Sequence, residues 1–217
     1  SANQLNYKIG KDLKTDPKSK GDAFTYNVNI NYPLLRSAIR SLIISGVYNF
    51  KDMYNETTGA ETSDKTIENF SANMLFQNID KFYLGGYMQS SINHTYGELD
   101  LSGAPSDLSS DQSSTGAKTD GNFSKTNIQF LRIQRIAELI DLQILASAQI
   151  ASQNLDSSEK FTLGGIGGVR AFPSGEASGD EGRKISFDLK YKPTSSYIDI
   201  IEQVQFGIFY DYGNIKQ

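Results

Sequence analysis

The chain has 217 residues, no Cys, no Trp, one His and a formal net charge of −4. The absence of Cys excludes a disulfide framework, a thiolate zinc site and a Cys nucleophile, and the mild acidity without a basic patch argues against nucleic-acid binding. No stretch reaches the roughly 18 to 20 apolar residues that a transmembrane helix needs.

Apolar and polar residues alternate with period two along much of the chain, which predicts strands with one apolar and one polar face. In chain order the predicted strands are near 3–14, 24–32, 39–54, 70–76, 81–96, 122–135, 140–150, 185–191 and 204–212. The alternation is cleanest in the second, fourth and last three of them. About ten tilted residues suffice to cross a bilayer core, so strands with this alternation, about 10 to 15 residues long with their flanking residues, could span a membrane.

The predicted connections alternate in length. Short links are expected near 33–37, 78–80 and 136–138, an intermediate link near 194–201, and long polar links near 15–21, 55–66, 97–121 and 154–182. The 97–121 link is rich in Ser, Asp and Gly and is expected to be mobile. Short turns on one side and long loops on the other are typical of an outer-membrane β-barrel. A soluble β-sandwich, the alternative all-β fold, has no reason to sort its loops in this way.

The number of predicted strands is odd, whereas single-chain bacterial barrels have an even number. Open strand edges in lipid would leave backbone donors and acceptors unpaired at a cost of several kcal/mol each. We therefore expect both ends of the barrel to lie outside this chain.

Two motifs carry a resemblance to a known family. Their matching segments are Leu163-Gly164-Gly165, Val169-Arg170-Ala171-Phe172, Gly175-Glu176, Ser178-Gly179-Asp180-Glu181-Gly182 and the later Phe209-Tyr210-Asp211-Tyr212-Gly213. In this order they resemble the signature of the haemolysin secretion/activation transporters, the outer-membrane partner in two-partner secretion, within the Omp85-like superfamily.

The resemblance implies an antiparallel transmembrane β-barrel of sixteen strands preceded by two periplasmic POTRA domains. Residues 1–217 would then be a partial barrel domain of about nine strands, roughly the fifth to the thirteenth, without the POTRA domains. The segment near 154–182 would be the sixth surface loop, folded back into the lumen.

The implied function is a protein-translocating pore, not an enzyme and without a cofactor or metal. It would secrete one large TPS-domain exoprotein, of the adhesin or haemolysin type, across the bacterial outer membrane. We expect a monomeric barrel in contact with outer-membrane lipid. Two alternatives stay open: an Omp85-type factor that assembles other barrels, and a soluble β-sandwich binding module.

Strand register independently suggests a partner for Arg170. Asp211 shares the polar register of the last strand with Gln205 and therefore points into the lumen. An Arg in a lumen loses part of its hydration and needs a carboxylate partner, so we predict a bidentate Arg170–Asp211 pair that pins the loop to the wall. The resemblance implies the same pair, and Asp188, also inward, is the competing partner.

The other predicted signature residues are structural. They are Gly164, Gly165, Val169, Phe172, Gly179, Asp180 and Gly182 in the loop, with Phe209 and Gly213 on the last strand. Ala171 stands where the family has Gly, and it would be strained if that position has a positive φ.

Other candidate sites have simpler interpretations. Asp180 and Glu181 lack the alternating ligand pattern of a calcium loop and are expected in a solvated loop. The single His94 is expected to be a polar residue at a strand end, since no second His or Cys could complete a metal site. The glycine-rich stretch does not fit G-x-G-x-x-G and precedes a strand rather than a helix, which argues against phosphate binding.

Overall fold

Nine antiparallel strands form one sheet, and each strand pairs with its neighbours in chain order. The computed structural model describes residues 1–9, 19–165, 167–170, 172–173, 177–193 and 204–216. The strands of the sheet are β1 (Ala2–Ile9), β2 (Ser19–Arg36), β3 (Arg40–Thr57), β4 (Ala60–Asp80), β5 (Gly86–Asp100), β6 (Gly121–Ala137), β7 (Ile140–Ala151), β10 (Glu181–Tyr191) and β11 (Phe206–Lys216).

Three small elements complete the described structure. A helix, α1 (Pro105–Asp111), lies between β5 and β6. Two-residue strands, β8 (Phe161–Thr162) and β9 (Ser178–Gly179), pair with each other between β7 and β10. Throughout the described ranges, no helix has the length and apolar character needed to cross a membrane.

The sheet confirms the predicted nine antiparallel strands. The other sheet in the described part of the chain is the pair of two-residue strands β8 and β9, which is too small to form the second layer of a sandwich. A β-sandwich is therefore the wrong alternative for this fold. Parts of the predicted 3–14 strand and 15–21 link, and all of the 194–201 link, fall outside the described residues.

Several strands extend beyond their predicted ends, because backbone pairing continues through residues that are polar on both faces. The expected long link at 55–66 is wrong: β3 and β4 run on to a turn at Thr58 and Gly59, whose φ angles of 55° and 82° suit a tight hairpin. Strands that extend beyond a bilayer are solvated on both faces, so they need no apolar alternation.

Two further connections are displaced from their predicted positions. Residues 81–85, predicted as the start of a strand, form the turn after β4 instead. The 33–37 turn shifts to 37–39 because β2 continues through a bulge near Pro33. The 97–121 link contains α1, which its composition does not predict.

The two faces of the sheet differ in chemistry. The outward face carries apolar side chains such as Val28, Ile30 and Ile208. The opposite face carries polar ladders, in which Asn27 donates to Asn49 at 2.5 Å and Asn49 donates to Asn69 at 2.9 Å. The polar residues Asn27, Asn73, Gln143 and Lys190 also lie on this inner face, as the strand register requires.

The buried core lies on the inner face, near the end of the strands where the long connections leave. Its members are Ile67, Leu99, Leu101, Phe123 and Leu155. Leu101 comes from the connection that contains α1, and Leu155 comes from the connection after β7. The two connections therefore fold back over the inner face, whereas the larger apolar surface faces outward.

We predict that a charge on the outward face is much more costly than the same charge on the inner face. In the full-length protein, Val28→Arg should lower the free energy of unfolding in lipid vesicles by about 2 to 4 kcal/mol, as expected for Arg near a bilayer midplane. Asn29→Arg, one residue along on the inner face, is the control. Equal losses for both variants, measured by urea titration, would contradict this assignment of the faces.

Candidate functional site

The candidate site is where the connection between β7 and β10 meets the inner wall. We call the connection at 152–180 the inner loop, and its described residues 163–165 and 167–170 the tip. The tip is a tight turn in which the Val169 amide donates to the Leu163 carbonyl at 2.7 Å and the Gly168 amide donates to the Gly165 carbonyl at 2.9 Å. Gly165 has a φ of 90°, which only glycine adopts readily. This turn directs Arg170 toward β10 and β11.

Arg170 contacts the wall through a bidentate ion pair with Asp211. Its Nε donates to Oδ2 at 2.8 Å and its Nη2 donates to Oδ1 at 2.6 Å, and its backbone amide also donates to Oδ2 at 2.9 Å. The Asp211 side chain is 4% exposed, whereas that of Arg170 is 40% exposed. The structure thus brings together the two residues that strand register pairs.

Asp188 is a second partner of Arg170 rather than a competitor. Arg170 Nη1 donates to Asp188 Oδ1 at 2.6 Å while the bidentate pair with Asp211 stays intact. The expectation of one carboxylate at the expense of the other is therefore wrong. The planar guanidinium has enough donors to serve both carboxylates at once. Hydrogen bonding to Asp211 and then to Asp188 raises the pKa of Arg170 above its ordinary value, so the group stays charged.

The spacing of the motif on β11 places its three residues on the same face of the sheet as Arg170. Phe209, Asp211 and Gly213 are two residues apart, so all three face inward. The Phe209 ring lies under the Arg170 guanidinium, 3.7 Å from its centroid, in a cation–π arrangement. The sequence analysis predicts no contact for Phe209. Its place two residues before Asp211 on the inward face is the feature from which a contact with Arg170 could have been inferred.

Gly213 leaves room for the tip of the inner loop. A Cβ added at Gly213 would lie 2.7 Å from Leu163 Cδ2 and 2.9 Å from Val169 Cγ2. Val169 is itself buried. The tip therefore fits a notch in β11, and its position is fixed by shape as well as by charge.

The remaining signature residues lie away from the ion pair. Gly164, Gly179 and Gly182 sit at close approaches, where a Cβ would meet Pro173, the Lys216 backbone and the Phe161 ring, respectively. Phe172 is half exposed. Ala171, Gly175 and Glu176 lie outside the described residues.

Asp180 is buried, so the expectation of a solvated acidic loop is wrong. It is 6% exposed, accepts the Leu155 amide at 2.9 Å and lies 3.3 Å from Lys160 Nζ. It ties the two ends of the inner loop together. No local pattern signals this role, because its partners lie 20 or more residues away in the chain.

His94 has no part in this site. It lies within β5 on the outward face rather than at a strand end, and its Nδ1 is 3.0 Å from the Thr126 hydroxyl. Over the ranges that the structure describes, no group of three or more His, Cys, Asp or Glu residues could hold a metal ion.

Comparison with known proteins gives a consistent result. The family model described as "Haemolysin secretion/activation protein ShlB/FhaC/HecB" matches residues 1–217. The heme/hemopexin transporter protein HuxB of Haemophilus influenzae strain 86-028NP is 27% identical over 218 residues, which cover 98% of this chain and 36% of HuxB. The same transporter from strain Rd matches with the same identity and coverage. The chain thus spans about a third of the length of these relatives.

Two solved structures share the fold. CdiB from Acinetobacter baumannii has a TM-score of 0.70 at 16% identity, and the match covers 100% of this chain and 37% of that one. CdiB from Escherichia coli has a TM-score of 0.68 at 20% identity, covering 89% of this chain and 35% of that one. At these identities the likeness supports the fold alone.

We predict that filling the notch loosens the tip. In the full-length protein, Gly213→Ala forces Leu163 and Val169 away from β11 at an overpacking cost of about 1 to 3 kcal/mol. Amide hydrogen exchange in the tip should therefore accelerate. Gly207→Ala is the matched control, because its Cβ on the same strand and face would meet its nearest atom at an ordinary 3.6 Å. Unchanged exchange in Gly213→Ala would show that the notch does not hold the tip.

Proposed function

The chain belongs to the haemolysin secretion/activation family ShlB/FhaC/HecB, and from that premise we propose that it forms part of an outer-membrane pore that secretes one large partner exoprotein. Residues 1–217 would be a partial barrel domain, with the inner loop as its sixth surface loop. The family consists of outer-membrane transporters of Gram-negative bacteria, and the named relatives support transport rather than barrel assembly.

The observation that carries the proposal is the attachment of Arg170 to the inner wall. One side chain holds a bidentate pair with Asp211, a hydrogen bond to Asp188 and a stacked contact with Phe209. These contacts would set the resting position of the inner loop in the lumen. We call this set of contacts the lock.

The lock has the properties of a contact that can open. An ion pair contributes less net stability where water competes for one of its two charges. Arg170 is 40% exposed on the lumen side, although Asp211 beneath it is covered. A loop held by such a pair could leave the wall without an external energy source and return to it.

The polar inner face suits the passage of an unfolded chain. The ladders of Asn, Ser and Gln side chains can exchange hydrogen bonds with a moving polypeptide or with water. They offer few apolar surfaces on which the chain would stall. The outward apolar face would contact outer-membrane lipid, and we propose a monomeric barrel whose activity is transport, with no catalytic step.

We predict that breaking the lock lowers secretion while the barrel still inserts. Arg170→Ala and Asp211→Arg in the full-length transporter should each reduce the partner exoprotein in the medium several-fold, because the loop loses its resting position. The measurement is an immunoblot of the exoprotein encoded beside the transporter, at matched barrel levels in outer membranes. Lys20→Ala, which removes an ion pair with Glu56 away from the loop, is the control. Wild-type secretion by both lock variants would refute the lock.

We further predict that the ring of Phe209 contributes through its π face. Phe209→Leu keeps an apolar side chain but removes a cation–π contact worth about 0.5 to 2 kcal/mol, so secretion should fall less than in Arg170→Ala. Phe209→Tyr keeps the ring and should secrete as the wild type does. If the Leu and Tyr variants secrete equally, the stacked contact has no part in the lock.

A further inference from the structure

A second set of ion pairs fastens the inner loop to another part of the wall. We call residues 152–160 the acidic arm. Glu159 accepts from Lys51 Nζ of β3 at 2.5 Å and lies 2.7 Å from Lys125 Nζ of β6. Lys125 also donates to the Glu159 backbone carbonyl at 2.8 Å. One carboxylate of the arm thus joins two strands that are not neighbours in the sheet.

Asp156 makes the second attachment of the acidic arm. Its Oδ2 accepts from Lys65 Nζ of β4 at 2.6 Å. Between them, the two carboxylates contact β3, β4 and β6. The carboxylates are covered as Asp211 is, with Glu159 6% and Asp156 11% exposed. The cations differ from that of the lock, because Lys65 and Lys125 are 15% and 12% exposed whereas Arg170 is 40% exposed.

The acidic arm also packs on the inner face by apolar contact. Leu155 is fully buried in a cluster with Ile67, Leu99 and Phe123, which lie on three neighbouring strands and face inward. Gln149 of β7 donates from Nε2 to the backbone carbonyls of Glu159 and Asp180. The arm therefore covers the wall from β3 to β7, and the lock lies beyond it on β10 and β11.

The carboxylates of the acidic arm are charged at neutral pH. Burial alone would raise the pKa of Glu159, but the charges and hydrogen bonds of Lys125 and Lys51 outweigh it and lower the pKa below its ordinary value. Burial likewise opposes and Lys65 favours the charged form of Asp156, whose pKa is also lowered. Losing one partner of such a covered pair leaves a charge with neither partner nor full hydration.

We propose that Asp156 and Glu159 form a second closure of the pore, which holds the acidic arm against the inner wall at rest and must release before a polypeptide can pass. The inference rests on the proposed function, because it assumes that the inner face lines the path. Two closures then act on one loop, an exposed lock at its tip and a covered set of ion pairs at its base. Release of the tip alone would leave β3 to β7 covered.

The first test measures ion conductance without any exoprotein. Purified full-length transporter in planar bilayers in KCl should open several-fold more often when Asp156→Asn and Glu159→Gln are combined. Glu61→Gln, an exposed acid at the start of β4, is the matched control and should behave as the wild type does. Conductance of the double variant equal to that of the control would overturn the second closure.

Charge exchange separates a specific ion pair from a general loss of stability. Asp156→Lys alone places like charges together and should raise the conductance, whereas Asp156→Lys with Lys65→Asp should return it toward the wild-type level. A purely structural disturbance would persist in the exchanged double variant. Failure of the exchange to restore the low conductance would therefore count against the pair.

The final test fixes the acidic arm by a covalent link. Asp156→Cys with Lys65→Cys is joined by a short thiol-reactive reagent that a reductant cleaves, in an Arg170→Ala background. The linked protein should stay at low KCl conductance and open when the link is reduced. Frequent opening with the arm still linked would overturn the proposal. Because no step measures secretion, that result is distinct from a failure of the proposed function.

Discussion

In a lipid environment every backbone amide and carbonyl must find its partner within the protein, and this requirement organises the whole structure. It enforces long, uninterrupted strand pairing, and it leaves the side chains to divide between a lipid face and an inner face. The apolar residues that would build the core of a soluble protein face outward here. The inner face therefore remains polar and charged, and its charges need partners from elsewhere in the chain.

The inner loop supplies those partners, with opposite signs at its two ends. Under the tip the wall presents carboxylates, Asp188 and Asp211, and the loop brings an Arg. Under the base the wall presents Lys residues on three strands, and the loop brings carboxylates. At both of its ends the loop thus brings a charge opposite to that of the wall residues it contacts.

The sequence alone predicts the features that depend on the pattern of neighbouring residues. Period-two alternation reveals the strands, and parity along β11 is enough to place Asp211 on the inner face. Strand ends are less predictable, because the β3–β4 hairpin continues where both faces are polar. The partners of Glu159 are beyond the reach of local patterns, since Lys51 is 108 residues away and only the path of the loop brings them together. The burial of Asp180 escapes prediction for the same reason, because it depends on where the two ends of the loop meet.

The notch at Gly213 fixes where along β11 the tip of the inner loop can dock. Inward side chains on β11 recur every second residue, so a tip displaced by one such step would press Val169 against Asp211 or Ile215. Neither position offers the space at Gly213 together with the Asp211 carboxylate and the Phe209 ring. The tip therefore docks at one defined position along β11, where Gly213 leaves room for it and Asp211 pairs with Arg170. If the loop leaves the wall, as the proposed function requires, the fit at Gly213 would separate the resting loop from displaced ones as a distinct state.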